Sequence, residues 1–174
     1  MNRSSRYFGI ACIFAMIFVM SWWWSGTTTY YIVRHAEKTA PDADELSDIG
    51  LRRAAILRDT MLDKGIDTVF YSEKNRSFQT ANPLATAQSL PRVVYQTGRH
   101  DLLLERLSDI KGKEILVVSH SNLAPAVVLH LAHTAIADIA ESDFDNLYVV
   151  KVSSMFNIVY RRSFEARTYG PNTP

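Results

Sequence analysis

Short apolar runs that end abruptly in charged or polar residues punctuate this chain, with helix-patterned stretches between them. Tyr30, Tyr31, Ile32 and Val33 lead straight into Arg34, His35, Ala36, Glu37 and Lys38. A β-branched and aromatic run of that length reads as a buried strand. Thr68, Val69, Phe70 and Tyr71 repeat the pattern ahead of Ser72, Glu73, Lys74, Asn75 and Arg76, and Ile115, Leu116, Val117 and Val118 repeat it ahead of Ser119, His120, Ser121 and Asn122. Between the first two runs Ser47 reads as an N-cap with Leu46 and Leu51 as a hydrophobic staple. Leu51, Ala54, Leu57, Met61 and Leu62 then trace one helical face as far as Gly65. A second helix is expected over 76–89, where Pro83 removes a backbone donor and should kink or restart it. Leu102, Leu103, Leu104 and Leu107 give a third, amphipathic helix after the apolar run Val93, Val94 and Tyr95. A fourth, largely apolar helix covers 124–133, with Pro125 in its first turn, where the amide has no partner to lose.

After an acidic loop at 141–145, two strands over 147–152 and 155–160 are expected to form a hairpin, turning tightly at Ser153 and Ser154. Strands alternating with helices and closed by a hairpin imply an α/β fold, a mostly parallel sheet between two helical layers. Each candidate strand delivers its charged residues to its own carboxyl end, the edge at which open α/β sheets bind ligands. The intervals from His35 to Arg76 and from Arg76 to His120 each leave room for a helix and a returning strand, so the three edges are expected to meet.

The N-terminus has a different pattern. Arg3 and Arg6 precede an uncharged stretch, 7–24, that ends in Trp22, Trp23 and Trp24. At about 1.5 Å per residue, as a helix it is roughly 27 Å long, close to the ~30 Å hydrocarbon core of a bilayer. The arginines should stay cytoplasmic and the indoles suit the membrane interface. The organisation expected is therefore an anchor helix over 1–26, a catalytic domain over 27–165 on the extracytoplasmic, periplasmic side, and a C-terminal tail over 166–174. A cleaved signal peptide with a secreted product is the competing reading, but small residues suited to a cleavage site are hard to find around the three tryptophans.

Composition fits one domain: of 174 residues, 47% are hydrophobic and 21% charged. A net charge of +1 with no basic stripe argues against a nucleic-acid partner. The single cysteine, Cys12, lies in the apolar N-terminal stretch, so thiolate phosphatase chemistry has no candidate nucleophile. Asp42, Ala43, Asp44 and Glu45 follow Thr39, Ala40 and Pro41 rather than a strand, which argues against an aspartyl-phosphate site. The seven glycines form no phosphate-binding loop.

Arg34, His35, Arg76 and His120 carry the candidate chemistry. Guanidinium forks match phosphate oxygens bidentately, and an imidazole is a competent nucleophile toward phosphorus. Singly, each residue would read as a surface charge or a structural histidine. Together, Arg34-His35-Ala36-Glu37, Leu46-Ser47-Asp48-Ile49-Gly50, Tyr71-Ser72 with Arg76, Thr80 and Ala81, and Val117-Val118-Ser119-His120-Ser121-Asn122 resemble the successive motifs of the histidine phosphatase superfamily, the phosphoglycerate-mutase-like phosphatases. The resemblance spans roughly 30–152.

That resemblance implies a three-layer α/β/α sandwich, attack on phosphorus by His35, a phosphohistidine intermediate, and clamping by Arg34 and Arg76 with a hydrogen bond from His120. The two guanidiniums are expected to keep the His35 imidazole neutral, and neither metal nor other cofactor is required. The leaving-group acid, commonly a carboxylate after the second arginine, is assigned to Asp101, with Glu105 and Glu37 as alternatives; Glu37 could instead orient His35 or pair with Lys38. The family's glycine after Arg-His is Ala36 here, a change that would matter if the position needed a positive φ. His100, His130 and His133 have no such support. The expected partner is a phosphorylated small molecule or envelope component, such as a sugar or lipid head group. The rivals are a protein phosphohistidine phosphatase and a non-catalytic, membrane-tethered phosphate-binding module.

Overall fold

The structure, a computed structural model, describes residues 26–155 and 158–170. The expected anchor over 7–24 lies outside the described residues. Among the described residues no helix is long and apolar enough to cross a membrane.

Six strands form one sheet: β1 (Gly26–Arg34), β2 (Thr68–Ser72), β3 (Arg92–Tyr95), β4 (Glu114–Ser119), β5 (Asn146–Met155) and β6 (Ile158–Thr168), in the order β3-β2-β4-β1-β5-β6. β3, β2, β4 and β1 run parallel, while β5 and β6 add an antiparallel hairpin beside β1. Four helices fill the crossovers: α1 (Asp48–Met61), α2 (Asn75–Ala87), α3 (His100–Asp109) and α4 (Leu123–Ala132). The alternation of side chains along β1 divides the core in two. Tyr30 and Ile32 pack with Leu103, Leu107, Val127 and Leu131 of α3 and α4. Tyr31 and Val33 pack with Leu57, Met61, Ala81 and Leu84 of α1 and α2 on the opposite face. The result is the α/β/α sandwich that the alternation implied.

Three local expectations need correction. The hairpin does not turn at Ser153 and Ser154: both are buried within β5, paired to Thr27 and Gly26 of β1, and the strand runs on to Met155. Two serines read as a turn because they interrupt an apolar run, but cross-strand pairing with β1 overrides that local signal. β6 likewise continues to Thr168, past residue 165 where the domain was expected to end, and Tyr169 beyond it is buried at 3% exposure. Of the kink or restart expected at Pro83, the restart does not occur: α2 runs unbroken to Ala87.

The segment between β1 and α1 is held closely. Ser47 caps α1, its Oγ accepting from the Gly50 amide at 3.1 Å, and its own amide donates to the Glu37 carbonyl at 2.9 Å. Gly50 lies so near that carbonyl that a Cβ on it would come within 2.2 Å of the oxygen. The Leu46–Gly50 motif thus fastens the start of α1 against the turn that carries His35.

Candidate active site

The carboxyl ends of β1, β2 and β4 meet as the sequence expects. Arg34, His35, Arg76 and His120 line one open cavity of about 290 Å³, together with Lys38, Lys74, Thr97, His100, Ser121, Asn122 and Glu141. A larger hollow of about 620 Å³, over Thr29, Val149, Lys151 and Ser163, contains no imidazole.

His35 is 4% exposed, and its ring lies edge-on to that of His120 with centroids 5.3 Å apart. Its Nδ1 is 2.8 Å from the Ala36 carbonyl oxygen. A carbonyl only accepts, so Nδ1 carries the proton and Nε2 keeps its lone pair. The Ala36 amide donates to Thr80 Oγ1 at 3.0 Å, and the His35 amide donates to the Ser119 carbonyl at 2.9 Å, which ties the turn to α2 and β4. Ala36 does not have a positive φ, so alanine stands there without strain. The imidazole is held at a pKa of about 3, first by burial. The positive fields of His120, Arg76 and Arg34 add to this and the Ala36 hydrogen bond opposes it. The guanidiniums expected to dominate are therefore lesser contributors: desolvation of a ring that is almost wholly enclosed outweighs the fields of arginines already paired with Glu141 and Asp44.

His120 is held at about 4, again first by burial and then by Arg76. Its Nε2 lies 2.9 Å from Ser72 Oγ, which accepts from the Lys74 amide and contacts Ser77 Oγ at 2.9 Å. Ser72 donates its one hydroxyl proton to Ser77 Oγ, so toward His120 it accepts: Nε2 bears the ring proton and Nδ1 keeps the lone pair. Ser72 belongs to the Tyr71-Ser72 motif, but the tautomer it sets depends on tertiary contacts.

Arg34 is 2% exposed. Its Nη1 donates to the carbonyls of Ala140, Glu141 and Asp143 at 2.8, 3.0 and 3.2 Å, and Nη2 donates to Glu141 Oε2 at 2.7 Å. The guanidinium also stacks 4.2 Å from the Phe144 ring centroid. Arg76 Nη1 donates to Asp44 Oδ1 at 2.8 Å. Nε of each arginine is buried with no hydrogen-bond partner among the described residues.

Asp101 is not brought to this cavity. Its side chain is 70% exposed and lies 3.5 Å from Arg99 Nε. Glu105 is exposed on α3, outside the lining. Glu37 pairs with Arg53: both its oxygens accept from Arg53 Nε at 2.7 and 2.9 Å, a buried pair that packs under the turn. Sequence reasoning missed His100, on the lining, and Glu141, which had read only as part of an acidic loop. His130 contacts Ser108 Oγ, and His133 closes α4 with φ 56°.

No protein-family model matches the sequence, and no curated protein is similar enough to match. Solved structures do match, histidine phosphatase superfamily members among them. One from Agrobacterium tumefaciens, designated phosphohistidine phosphatase SixA, is 20% identical, with a TM-score of 0.58 over 80% of this chain and 98% of that one. The mycobacterial glucosyl-3-phosphoglycerate phosphatase is 13% identical, TM-score 0.58, over 72% and 91%. Phosphoserine phosphatase from Entamoeba histolytica, solved with 3-phosphoglyceric acid, is 15% identical, TM-score 0.55, over 79% and 96%. The chain has the histidine phosphatase fold, shared with phosphoglycerate mutases.

Proposed function

We propose that this protein is a metal-independent phosphomonoester hydrolase working through a phosphohistidine on His35. The observation that carries the reading is the neutral, tautomer-fixed imidazole of His35 beside His120 in a cavity that Arg34 and Arg76 also line. His35 Nε2 attacks phosphorus; the P–N bond forms as the ester P–O bond breaks, and the leaving oxygen takes up a proton. Water then attacks phosphorus, the P–N bond breaks, and the water's proton passes to the group that gave one up. Arg76 and Arg34 would hold the equatorial oxygens, where transition-state charge spreads, with the His120 ring beside them.

Glu141 is kept ionised chiefly by Arg34. His100, rather than its neighbour Asp101, is therefore the lining side chain suited to protonate the leaving oxygen.

The named similar structures act on a range of phosphorylated molecules, which agrees with a phosphorylated substrate. The open cavity agrees with a small phosphoester, an envelope-associated sugar phosphate among them, or with a phosphohistidine on a protein. The apolar stretch 7–24 supports a single N-terminal membrane anchor with the domain on the extracytoplasmic side.

A non-catalytic phosphate-binding module is the second reading, favoured by one feature: most of the Arg34 guanidinium is already engaged by the loop around Glu141. Hydrolysis of p-nitrophenyl phosphate by the full chain, with and without EDTA, separates the two. EDTA-insensitive turnover that disappears in His35→Ala, together with an acid-labile phosphoenzyme in the parent, supports the enzyme. Orthophosphate binding without turnover supports the module.

A further inference from the structure

The two ends of β1 face opposite ways, and the His35 cavity lies at the carboxyl end. At the amino end, Gly26 pairs with Ser154, so the tip of the β5–β6 hairpin stands beside the point where the chain enters the fold. At that tip Ile158 and Tyr160 are 69% and 65% exposed, the highest values among large apolar side chains of the described residues, and Met155 is 46% exposed. β6 is also the open edge of the sheet. An apolar, unpaired edge is a liability unless something covers it. Arg161 and Arg162 follow directly, both on the surface.

The chain just upstream indicates the cover. The apolar stretch 7–24 ends two positions before Gly26 with three tryptophans. If that stretch occupies a bilayer, the hairpin tip is held within a few ångströms of the same interface. Tyrosine and long aliphatic side chains are favoured there, and guanidiniums meet anionic head groups. The same geometry fixes the direction of the cavity. Arg34 ends the strand that Gly26 begins, and at a rise of about 3.3 Å per residue the site lies roughly 26 Å from the tip.

We infer that the β5–β6 tip, through Met155, Ile158 and Tyr160 with Arg161 beside them, docks on the lipid surface that holds the N-terminal segment, and that the His35 cavity consequently opens away from that surface. Its substrates then arrive from the aqueous phase, and phosphorylated head groups of the supporting leaflet lie out of reach. The inference rests on reading 7–24 as an anchor.

The test uses the full chain with Cys12, its only cysteine, replaced by serine. An environment-sensitive fluorophore is attached at Ile158→Cys or, as the control at the cavity end, at Asp42→Cys; both native side chains are exposed. Vesicles contain brominated acyl chains, with or without anionic phosphatidylglycerol. The expected result is loss of most emission at 158, greater with anionic lipid, and none at 42. Trp22, Trp23 and Trp24, the chain's only tryptophans, report the anchor separately. Tryptophan quenching with an unquenched label at 158 overturns the docking and leaves the anchor standing. No quenching of either overturns both. Quenching at 42 as well as 158 overturns the orientation. A blue shift at 158 that follows protein concentration in detergent without lipid assigns the surface to a second copy of the chain, and overturns the proposal.

Discussion

The Glu141 carboxylate sits 2.7 Å from Nη2 of the buried Arg34, at the cavity rim, while the backbone of its own loop holds the other end of the same guanidinium. The carbonyls position the arginine, and the carboxylate competes for it. With its side chain 81% exposed, Glu141 is free to swing away when an anion binds. The Glu141→Gln variant is therefore expected to bind orthophosphate more tightly, by about 3- to 10-fold, the scale of a screened ion pair. Isothermal titration calorimetry with phosphate at fixed ionic strength reads this directly. Weaker binding would mean that the carboxylate positions Arg34 instead of rivalling the ligand.

Ser72 accepts the hydrogen bond of His120 Nε2 and so sets which ring nitrogen carries the proton. Replacing it with alanine frees the ring to adopt the other tautomer and leaves Ser77 Oγ without its buried partner. Losing one such hydrogen bond in the transition state is worth about 1–2 kcal/mol, or roughly 5- to 30-fold in kcat. The expected signature is a fall in kcat on p-nitrophenyl phosphate with little change in KM, since Arg34 and Arg76 still hold the ground state. A change confined to KM would remove Ser72 from the catalytic step.

The strand ends that carry Arg34, Arg76 and His120 were legible because an apolar run breaking into charge marks both a buried strand and the edge where it stops. What surrounds them was less legible, because it depends on pairings between distant positions. Nothing in the order of residues announces that Arg53 grips Glu37, or that the loop around Glu141 closes over Arg34. The start of α3 shows the limit most sharply. His100 and Asp101 are adjacent in the first turn of α3, and one residue rotates the side chain by about 100° around a helix. Periodicity identifies the helix, but not which of two polar neighbours at its start faces the cavity.

Gly50 is required by proximity. A Cβ there would overlap the Glu37 carbonyl, which is backbone and has no room to retreat because Ser47 is bound to the same oxygen. Gly50→Ala should therefore cost about 2–3 kcal/mol despite alanine's better helix propensity, lowering Tm by roughly 5–10 °C. It should also impair turnover, since relief of the overlap moves the turn that bears His35. Differential scanning calorimetry beside a kinetic assay tests both. An unchanged or raised Tm would show that α1 shifts freely and that the glycine is dispensable.

Acid should destabilise the folded chain before it reaches the ordinary carboxylate range. In the unfolded chain His35 and His120 titrate near 6.5, whereas in the fold they stay neutral down to about 3 and about 4, burial being the first cause for both. Below 6.5 the unfolded state binds protons that the folded state refuses, so stability rises with pH across this window. The contribution is complete above 6.5 and is lost as pH falls toward the folded values. Each imidazole adds a slope of about 1.4 kcal/mol per pH unit, up to ~2.7 for the two together. Glu141 and Asp44, whose folded pKa values are lowered, lose their contributions only further into acid, and Asp145, raised first by burial, opposes the decline, so from about pH 6.5 to about 4.5 the histidines are the groups that drive it. Urea unfolding across that range should show a steep decline in the parent chain and a much flatter one in His35→Asn/His120→Asn. Equal slopes in both proteins would mean that the two rings are protonated in the fold, and a protonated His35 has no lone pair with which to attack phosphorus.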